Sequence, residues 1–382
     1  MTDKVRLGVI GVGSMGQGHL THFADIDDAE LTCVCDIDEE TCKTVSEKHG
    51  VPGYIDYKEL IDSGSANAVI VATPHYFHPP IGIYAMKAGL HLLSEKPIGV
   101  TIGAAEELAA TAKETQRVFA AMFQFRVEPQ FRRALEIVEN GELGEVYRTL
   151  LVNTWFRTQA YFNSAEWRGT WLGEGGGVLI NQAPHSLDQF VKLGGMPSEV
   201  TAVVRTRSHD IEVEDSAHAL CRYPSGGIGY YIACTDEYPE TFRHEIAGEK
   251  GKLIITEDKL LFAKVSPGVT ECIKNLTEMW GKPEGQLTEI DLPDCPTGHK
   301  AIVRNFINTI LGKENLIVDG SEATMSLEFS NAIYMSGIQN RKVRLPLDRE
   351  EVNEFFADLR AKSQPKKEVH KIIETDPLHK GQ

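Results

Sequence analysis

The sequence predicts an α/β protein in two parts: a parallel sheet wound by helices, then an α+β region with a large, predominantly antiparallel open sheet. Three observations carry this. Residues 1 to about 123 alternate short Val/Ile-rich runs with helical stretches at crossover spacing. After Phe123 the texture changes to long alternating segments rich in Val, Thr, Tyr and Ile, with turns such as "YPSGG" between them. At 382 residues the chain exceeds a typical single domain, so two cores are expected.

In the first part the strands are "VRLGVIG" (5–11), "ELTCVCD" (30–36), "NAVIVAT" (67–73), "LHLLSE" (90–95) and "RVFAAM" (117–122). Their near-continuous apolar character suits a sheet covered on both faces. Helices fit between them at "MGQGHLTHFAD", "DEETCKTVSEKHG" with its acidic first turn and closing Gly50, "HPPIGIYAMKAG" and "TIGAAEELAATAKET". The second part opens with a helix, "EPQFRRALEIVENG". Strands follow in "GEVYRTLLVNTWFR", "SEVTAVVRTR", "SAHALCRY", "GGIGYYIACT" and "RHEIAGEKGKLIIT", and helices in "GHKAIVRNFINTILG" and "SEATMSLEFSNAIYMSG", with "RKVRLPL" as one more strand. The expected division is 1–123, 124–361 and a polar, lysine-rich tail, 362–382, which is given no fold and could serve as an arm across a partner subunit.

Composition narrows the function. The 55 acidic against 39 basic residues give a formal charge of −16, which opposes binding to nucleic acid or an anionic membrane. The seven cysteines show no CxxC pair and no Cys/His cluster at zinc spacing, so free thiols in a reducing compartment are expected. With no leader pattern in "MTDKVRLGVIG" and no membrane-length apolar run, a cytoplasmic protein is expected.

"GVIGVGSMGQGH" holds Gly11-x-Gly13-x-x-Gly16 directly after a strand and at the start of a helix. Gly11 permits the tight turn, Gly13 lets backbone amides approach a pyrophosphate, and Gly16 allows close helix–strand packing, with Ser14 and Met15 between them. Asp36 closes the second strand twenty residues past Gly16, where a carboxylate accepts hydrogen bonds from an adenosine ribose and repels a 2′-phosphate. Asp36 could at the same time cap the following helix. The unit predicts a Rossmann domain that binds NAD in preference to NADP. In such a sheet, ligands gather beyond the carboxyl ends of the strands. The residues there are the glycine turn, Asp36 and Ile37, then Thr73, Pro74 and His78 in "ATPHYFH", and Glu95 and Lys96 in "SEKP". His19, His75 and His78 have no carboxylate or thiolate set around them, so no metal is expected.

Together, "GVIGVGSMGQGH", "VIVATPHYFH", "MKAGLHLLSEKPIG" and "GEGGGVLINQAPHSLDQF" resemble the glucose-fructose oxidoreductase and inositol dehydrogenase family of sugar and cyclitol dehydrogenases. The resemblance runs from the glycine turn to "RKVRLPL". It implies a nicotinamide held between the Rossmann domain and the second sheet. It also implies Lys96 as the active-site lysine with Glu95 beside it, and His185 as the residue exchanging the substrate hydroxyl proton. The family usually has aspartate four residues before that histidine; here the position is Asn181, and an amide can orient the imidazole without raising its proton affinity. Asp188, one helical turn past His185, is a candidate substitute. Trp167, Arg168 and Gln124 correspond to residues near the nicotinamide.

Oxidising a secondary alcohol needs a hydride acceptor, a base, and positive charge where alkoxide character develops. NAD, His185 and Lys96 match these roles. In "NTWFRTQAYFNSAEWRGTW", Arg157, Gln159, Tyr161 and Trp171 are the expected substrate contacts. With only Arg157 and Arg168 as obvious cations there, a neutral sugar, glycoside or inositol is favoured. Gly175, Gly176 and Gly177 permit close approach to the cofactor or to the neighbouring sheet. Two alternatives remain open at this level: a redox-neutral glycoside-cleaving enzyme that retains NAD, and a non-catalytic dinucleotide-sensing regulator. The broad open sheet points to a homo-oligomer, dimer or tetramer.

Overall fold

The computed structural model describes residues 4–22, 26–366 and 368–370. The first sheet has six parallel strands: β1 (Val5–Ile10), β2 (Ala29–Cys35), β3 (Gly53–Tyr54), β4 (Ala68–Val71), β5 (His91–Ser94) and β6 (Phe119–Ala121). Their order is β3-β2-β1-β4-β5-β6. The order reverses between β1 and β4, and at such a switch point the strand ends open a crevice for a ligand. Sequence-encoded caps fix the covering helices. The Asp38 carboxylate accepts from Thr41 N at 2.9 Å to start Glu39–His49, and Gly50, at φ 67°, ends it. Thr101 caps Ile102–Thr115. The helix read as 15–25 spans Ser14–His22; its expected last three residues lie outside the described residues.

The second sheet has nine strands: β7 (Val146–Thr154), β8 (Glu199–Arg205), β9 (Ser216–Arg222), β10 (Ile228–Cys234), β11 (Thr241–Gly248), β12 (Gly251–Ile255), β13 (Leu260–Lys264), β14 (Thr288–Glu289) and β15 (Val343–Arg344). In the order β14-β13-β12-β11-β7-β10-β9-β8-β15, every contact is antiparallel except β7 with β10. The segment read as one strand, "RHEIAGEKGKLIIT", is a hairpin that turns at Glu249-Lys250. The helices Val178–Asn181, Pro184–Gly194 and Ala323–Gln339 include the buried faces that form the core layer. On the other side, Val203, Leu220 and Tyr230 are exposed.

Among the described residues, the buried ones form three clusters. The first is the Rossmann core, but it includes Ala301, Ile302, Val303, Phe306 and Ile307 from the helix Gly298–Ile310. The chain thus leaves the first part near Phe123 and later returns to complete it. The unforeseen helix Arg349–Lys362 also packs against Ile102–Thr115. Of the tail, Lys362 ends this helix, and the other described residues, 363–366 and 368–370, lie against this chain's own loops: Ser363 Oγ donates to Glu212 at 2.5 Å and His370 N to Asn163 O at 2.8 Å.

Candidate active site

The nucleotide side begins where β1 ends. Gly11 turns the chain at φ 85°, and a Cβ on Gly16 would lie 1.9 Å from the Gly11 carbonyl oxygen, so only glycine lets helix and strand meet there. The space a Gly13 side chain would enter is open, with nothing within 4 Å. Ser14 and Met15 lead from this opening into the helix. Asp36 is not the helix cap; its Oδ2 accepts from Val12 N at 2.9 Å and its Oδ1 from Asp38 N at 3.0 Å, so the carboxylate is held against the glycine turn. Ile37 beside it is 87% exposed.

Past β4, Thr73 Oγ1 is buried without a hydrogen-bond partner, and Pro74 follows it. His78 was expected to meet the cofactor. Instead its ring nitrogens lie 2.6 Å from the carbonyl oxygens of Thr73 and Pro97, and it ties two loops together from inside. At the junction, Gln124 is buried with Oε1 unpaired. A buried polar atom without a partner is costly unless a ligand completes it. The open Gly13 cradle, the Asp36 carboxylate, and the unpaired Thr73 and Gln124 oxygens therefore fit a dinucleotide.

Beyond β5, the Glu95 carboxylate, itself buried, accepts from His19 Nε2 at 2.8 Å and from Lys96 N at 3.1 Å. Burial alone would raise its pKa, but the His19 hydrogen bond and charge hold it well below the usual range. Lys96 precedes Pro97 through a cis peptide and donates from Nζ to the Asn181 carbonyl oxygen at 2.9 Å. Burial lowers the proton affinity of the ammonium, and the Glu95 charge opposes that fall.

Asn181 ends the short helix Val178–Asn181, one turn before His185 on Pro184–Gly194. The short helix is anchored by buried Glu214, which accepts from Gly177 N at 3.0 Å, Leu179 N at 2.9 Å and Tyr334 OH at 2.6 Å; burial pushes its pKa up to about 7. The glycine run serves this packing. A Cβ on Gly177 would sit 1.9 Å from the Glu214 carbonyl oxygen and one on Gly175 2.6 Å from Val100. The His185 ring stacks on Phe125 at 4.6 Å and meets the edge of Phe123 at 5.6 Å.

Two expectations are corrected here. Asp188 does not face the position left by the missing aspartate. It makes a bidentate pair with Arg126, both contacts at 2.7 Å and both side chains buried, and thereby fixes the His185 helix to the domain junction. Trp171 is turned into the core against Tyr334 and Phe356, at 5.4 and 6.4 Å, because its large apolar ring completes that layer.

The remaining residues expected to meet a substrate form a polar and aromatic wall. The Arg168 guanidinium lies over the rings of Tyr161 and Trp167, at 4.4 and 4.5 Å, and donates to Tyr161 OH at 2.5 Å. Gln182 donates to the same hydroxyl at 2.7 Å. Arg157 lies over Trp155 and Tyr161 at 5.3 Å each. Gln159 is committed elsewhere: it accepts from Asp210 N at 2.8 Å and donates to Asn163 at 2.9 Å, so it clamps a loop. Glu174, which sequence reasoning missed, is fully buried and accepts from the Asn181 side-chain amide and from Gly169 N. The available signal was an acidic residue inside the glycine run "GEGGG".

Comparison with known proteins agrees with this architecture. Residues 5–123 match the model of the oxidoreductase family with an NAD-binding Rossmann fold, and residues 131–254 match the GFO/IDH/MocA C-terminal domain. The chain is 25% identical to myo-inositol 2-dehydrogenase of Thermotoga maritima over 350 residues, 89% of this chain and 98% of that protein. It is 27% identical to D-glucoside 3-dehydrogenase of Escherichia coli over 365 residues, 90% and 98% of the two chains. Among solved structures, the WlbA dehydrogenase of Chromobacterium violaceum, in complex with NADH and UDP-GlcNAcA, superposes with a TM-score of 0.77 at 27% identity, covering 91% of this chain and 98% of that one. The chain belongs to the GFO/IDH/MocA family of NAD-binding oxidoreductases.

Proposed function

We propose that this oxidoreductase interconverts a secondary hydroxyl and a ketone on a neutral sugar, glycoside or cyclitol, with NAD preferred over NADP. The observation that carries the reading is the link from Lys96 Nζ to the carbonyl of Asn181, one helical turn before His185, which ties the lysine to the segment that carries the histidine. The bound dinucleotide supplies the hydride acceptor. Gly11, Gly13, Ser14, Met15 and Gly16 would hold its phosphates, Asp36 and Ile37 its adenosine end, and Thr73, Pro74, Gln124, Trp167 and Arg168 its nicotinamide side. Lys96 orients the reacting hydroxyl and stabilises alkoxide character, while His185 takes the proton. The stack on Phe125 fixes the imidazole plane.

Tyr161, with Arg157 and Arg168 over its ring, offers the mixture of C–H faces and donors that suits a polyhydroxylated ring. Both guanidiniums are engaged with aromatic rings, which favours a neutral substrate over a phosphorylated one. The named activities of the inositol and glucoside relatives support the same class. The exposed Val203, Leu220 and Tyr230 support a homo-oligomer covering the sheet face.

The test is a panel of hexoses, glycosides and inositols assayed for NADH formation, repeated with Lys96→Ala and His185→Ala. Both variants are expected to bind NAD and to lose at least about a hundredfold in kcat. Unchanged turnover in either removes that residue from the mechanism. Substrate cleavage without net NADH would establish the redox-neutral reaction instead.

A further inference from the structure

We infer that Glu174 supplies the carboxylate of the proton-transfer site, acting as a positioning residue through the Asn181 amide and, by its charge, on Lys96. The inference rests on the dehydrogenase reading above and extends it to a residue outside the proposed catalytic pair.

The observations are geometric. Glu174 has no exposed surface, yet its carboxylate is not paired with a partner cation by a direct salt bridge among the described residues. One oxygen accepts from Gly169 N at 2.5 Å, and the other accepts from Asn181 Nδ2. The same Asn181 receives Lys96 Nζ on its backbone carbonyl. Glu174 therefore grips, by its side chain, the residue that Lys96 grips by its backbone. Its own carbonyl accepts from His75 Nδ1 at 2.9 Å, which fastens the loop beneath the site. Asp188, the acidic residue one turn past His185, is fully used by Arg126.

The electrostatic surroundings agree. The groups facing Glu174 are Arg168, Lys366 and Lys96, together with Tyr161, Tyr334 and His75. Burial raises the carboxyl's proton affinity, and Arg168, the Gly169 amide, Asn181 and Lys366 pull it only part of the way back, so it stays above the usual carboxylate range. In return, the Glu174 charge raises the proton affinity of Lys96 against its own burial. An ionised Glu174 fixes Asn181 with its NH₂ toward the carboxylate, and so leaves Oδ1 to face the other way. Gln182 Nε2 meets that oxygen at 3.3 Å while also donating to Tyr161 OH. From the Gln182 amide the donors thus run two ways, through Asn181 to the Glu174 carboxylate and directly to the phenol of the substrate wall, and Glu174 sets the orientation of the Asn181 amide.

The experiment compares the wild type with Glu174→Gln, Asn181→Asp and the double exchange, all loaded with NAD. Two readouts are used: kcat, KM and the pH–rate profile on the best panel substrate, and the titration of ¹³C-labelled lysine followed by NMR, which needs no turnover. For Glu174→Gln the expected results are a fall in kcat of about tenfold or more with KM changed less, and a Lys96 pKa lowered by about one unit. Asn181→Asp alone places two carboxylates in contact and should raise the apparent pKa of the pair. The double exchange, which restores one carboxylate facing one amide, should recover most of the loss.

An unchanged Lys96 titration in Glu174→Gln overturns the inference whether or not the protein turns over any sugar. So does a double variant no better than the worse single one. If Glu174→Gln fails to fold, the double exchange carries the test alone: failure to recover Lys96 titration and kcat there refutes it. A wild type that oxidises no panel substrate, but whose Lys96 responds to Glu174→Gln, sinks the dehydrogenase reading and leaves the electrostatic coupling in place.

Discussion

Replacing Asp188 by Asn separates a structural carboxylate from a catalytic one. Asp188 and Arg126 are each at most 3% exposed as side chains and meet through two 2.7 Å contacts, so the pair is shielded from both water and salt. Removing the charge leaves a buried guanidinium whose remaining anion is Glu322, which is 39% exposed and shared with Lys192 at 3.0 Å. Breaking a buried pair by removing one partner costs about 3 to 5 kcal/mol. Because Asn can still accept one hydrogen bond and Glu322 still compensates part of the charge, about 3 kcal/mol is expected for Asp188→Asn. Urea unfolding followed by tryptophan fluorescence measures it. The apolar exchange Arg126→Met with Asp188→Leu should regain most of the stability, since it removes the desolvation cost along with the attraction. In both variants kcat should fall less than tenfold, through a slightly loosened His185 helix. Full stability with collapsed turnover would show that Asp188 serves the chemistry directly, and the assignment to Arg126 would be wrong.

Two further outcomes follow from single residues. Asp36→Ser removes the carboxylate proposed to meet the ribose and should shift the NADP-to-NAD ratio of kcat/KM upward by about tenfold or more, measured by parallel kinetics with both cofactors; a wild type already indifferent to the 2′-phosphate refutes the role. His244 is fully buried against Phe190 with neither ring nitrogen hydrogen-bonded, and burial lowers its pKa to about 3. The unfolded chain takes up that proton near 6.5 while the folded one does not, so stability is intact above this range and is lost as pH falls toward 3, by about 4 to 5 kcal/mol over the window. His244→Phe should flatten the acid limb of a denaturation-versus-pH curve; an unaltered limb would refute this.

The first sheet could be read from sequence because its strands are short, apolar runs closed by glycine or cap residues, and local chemistry sets both. β3 escaped because two residues, Gly53 and Tyr54, carry no periodicity. The hairpin at Glu249-Lys250 was hidden because alternation persists through the turn. In the site, residues held by adjacent backbone were legible: the glycine turn, Asp36, Lys96 and the His185 helix. What could not be seen was competition between partners distant in sequence. Nothing near Asp188 announces Arg126, 62 positions away, and nothing in "NTWFRTQAYFNSAEWRGTW" says that Trp171 faces inward while Tyr161 lines the wall. Glu174 was overlooked for the same reason, since its meaning depends on the fold bringing it against Asn181.

The return of Gly298–Ile310 to the first core has an engineering consequence. Phe306, Ile307, Val303 and Ile302 are at most 2% exposed, and the helix lies against Ser14–His22 and β5. A fragment severed after Phe123 would bare the surface these side chains cover, and would be prone to clumping rather than to independent life as a nucleotide carrier. Swapping cofactor modules between relatives must therefore transplant a late helix along with the early strands, so recombination favours whole chains over halves.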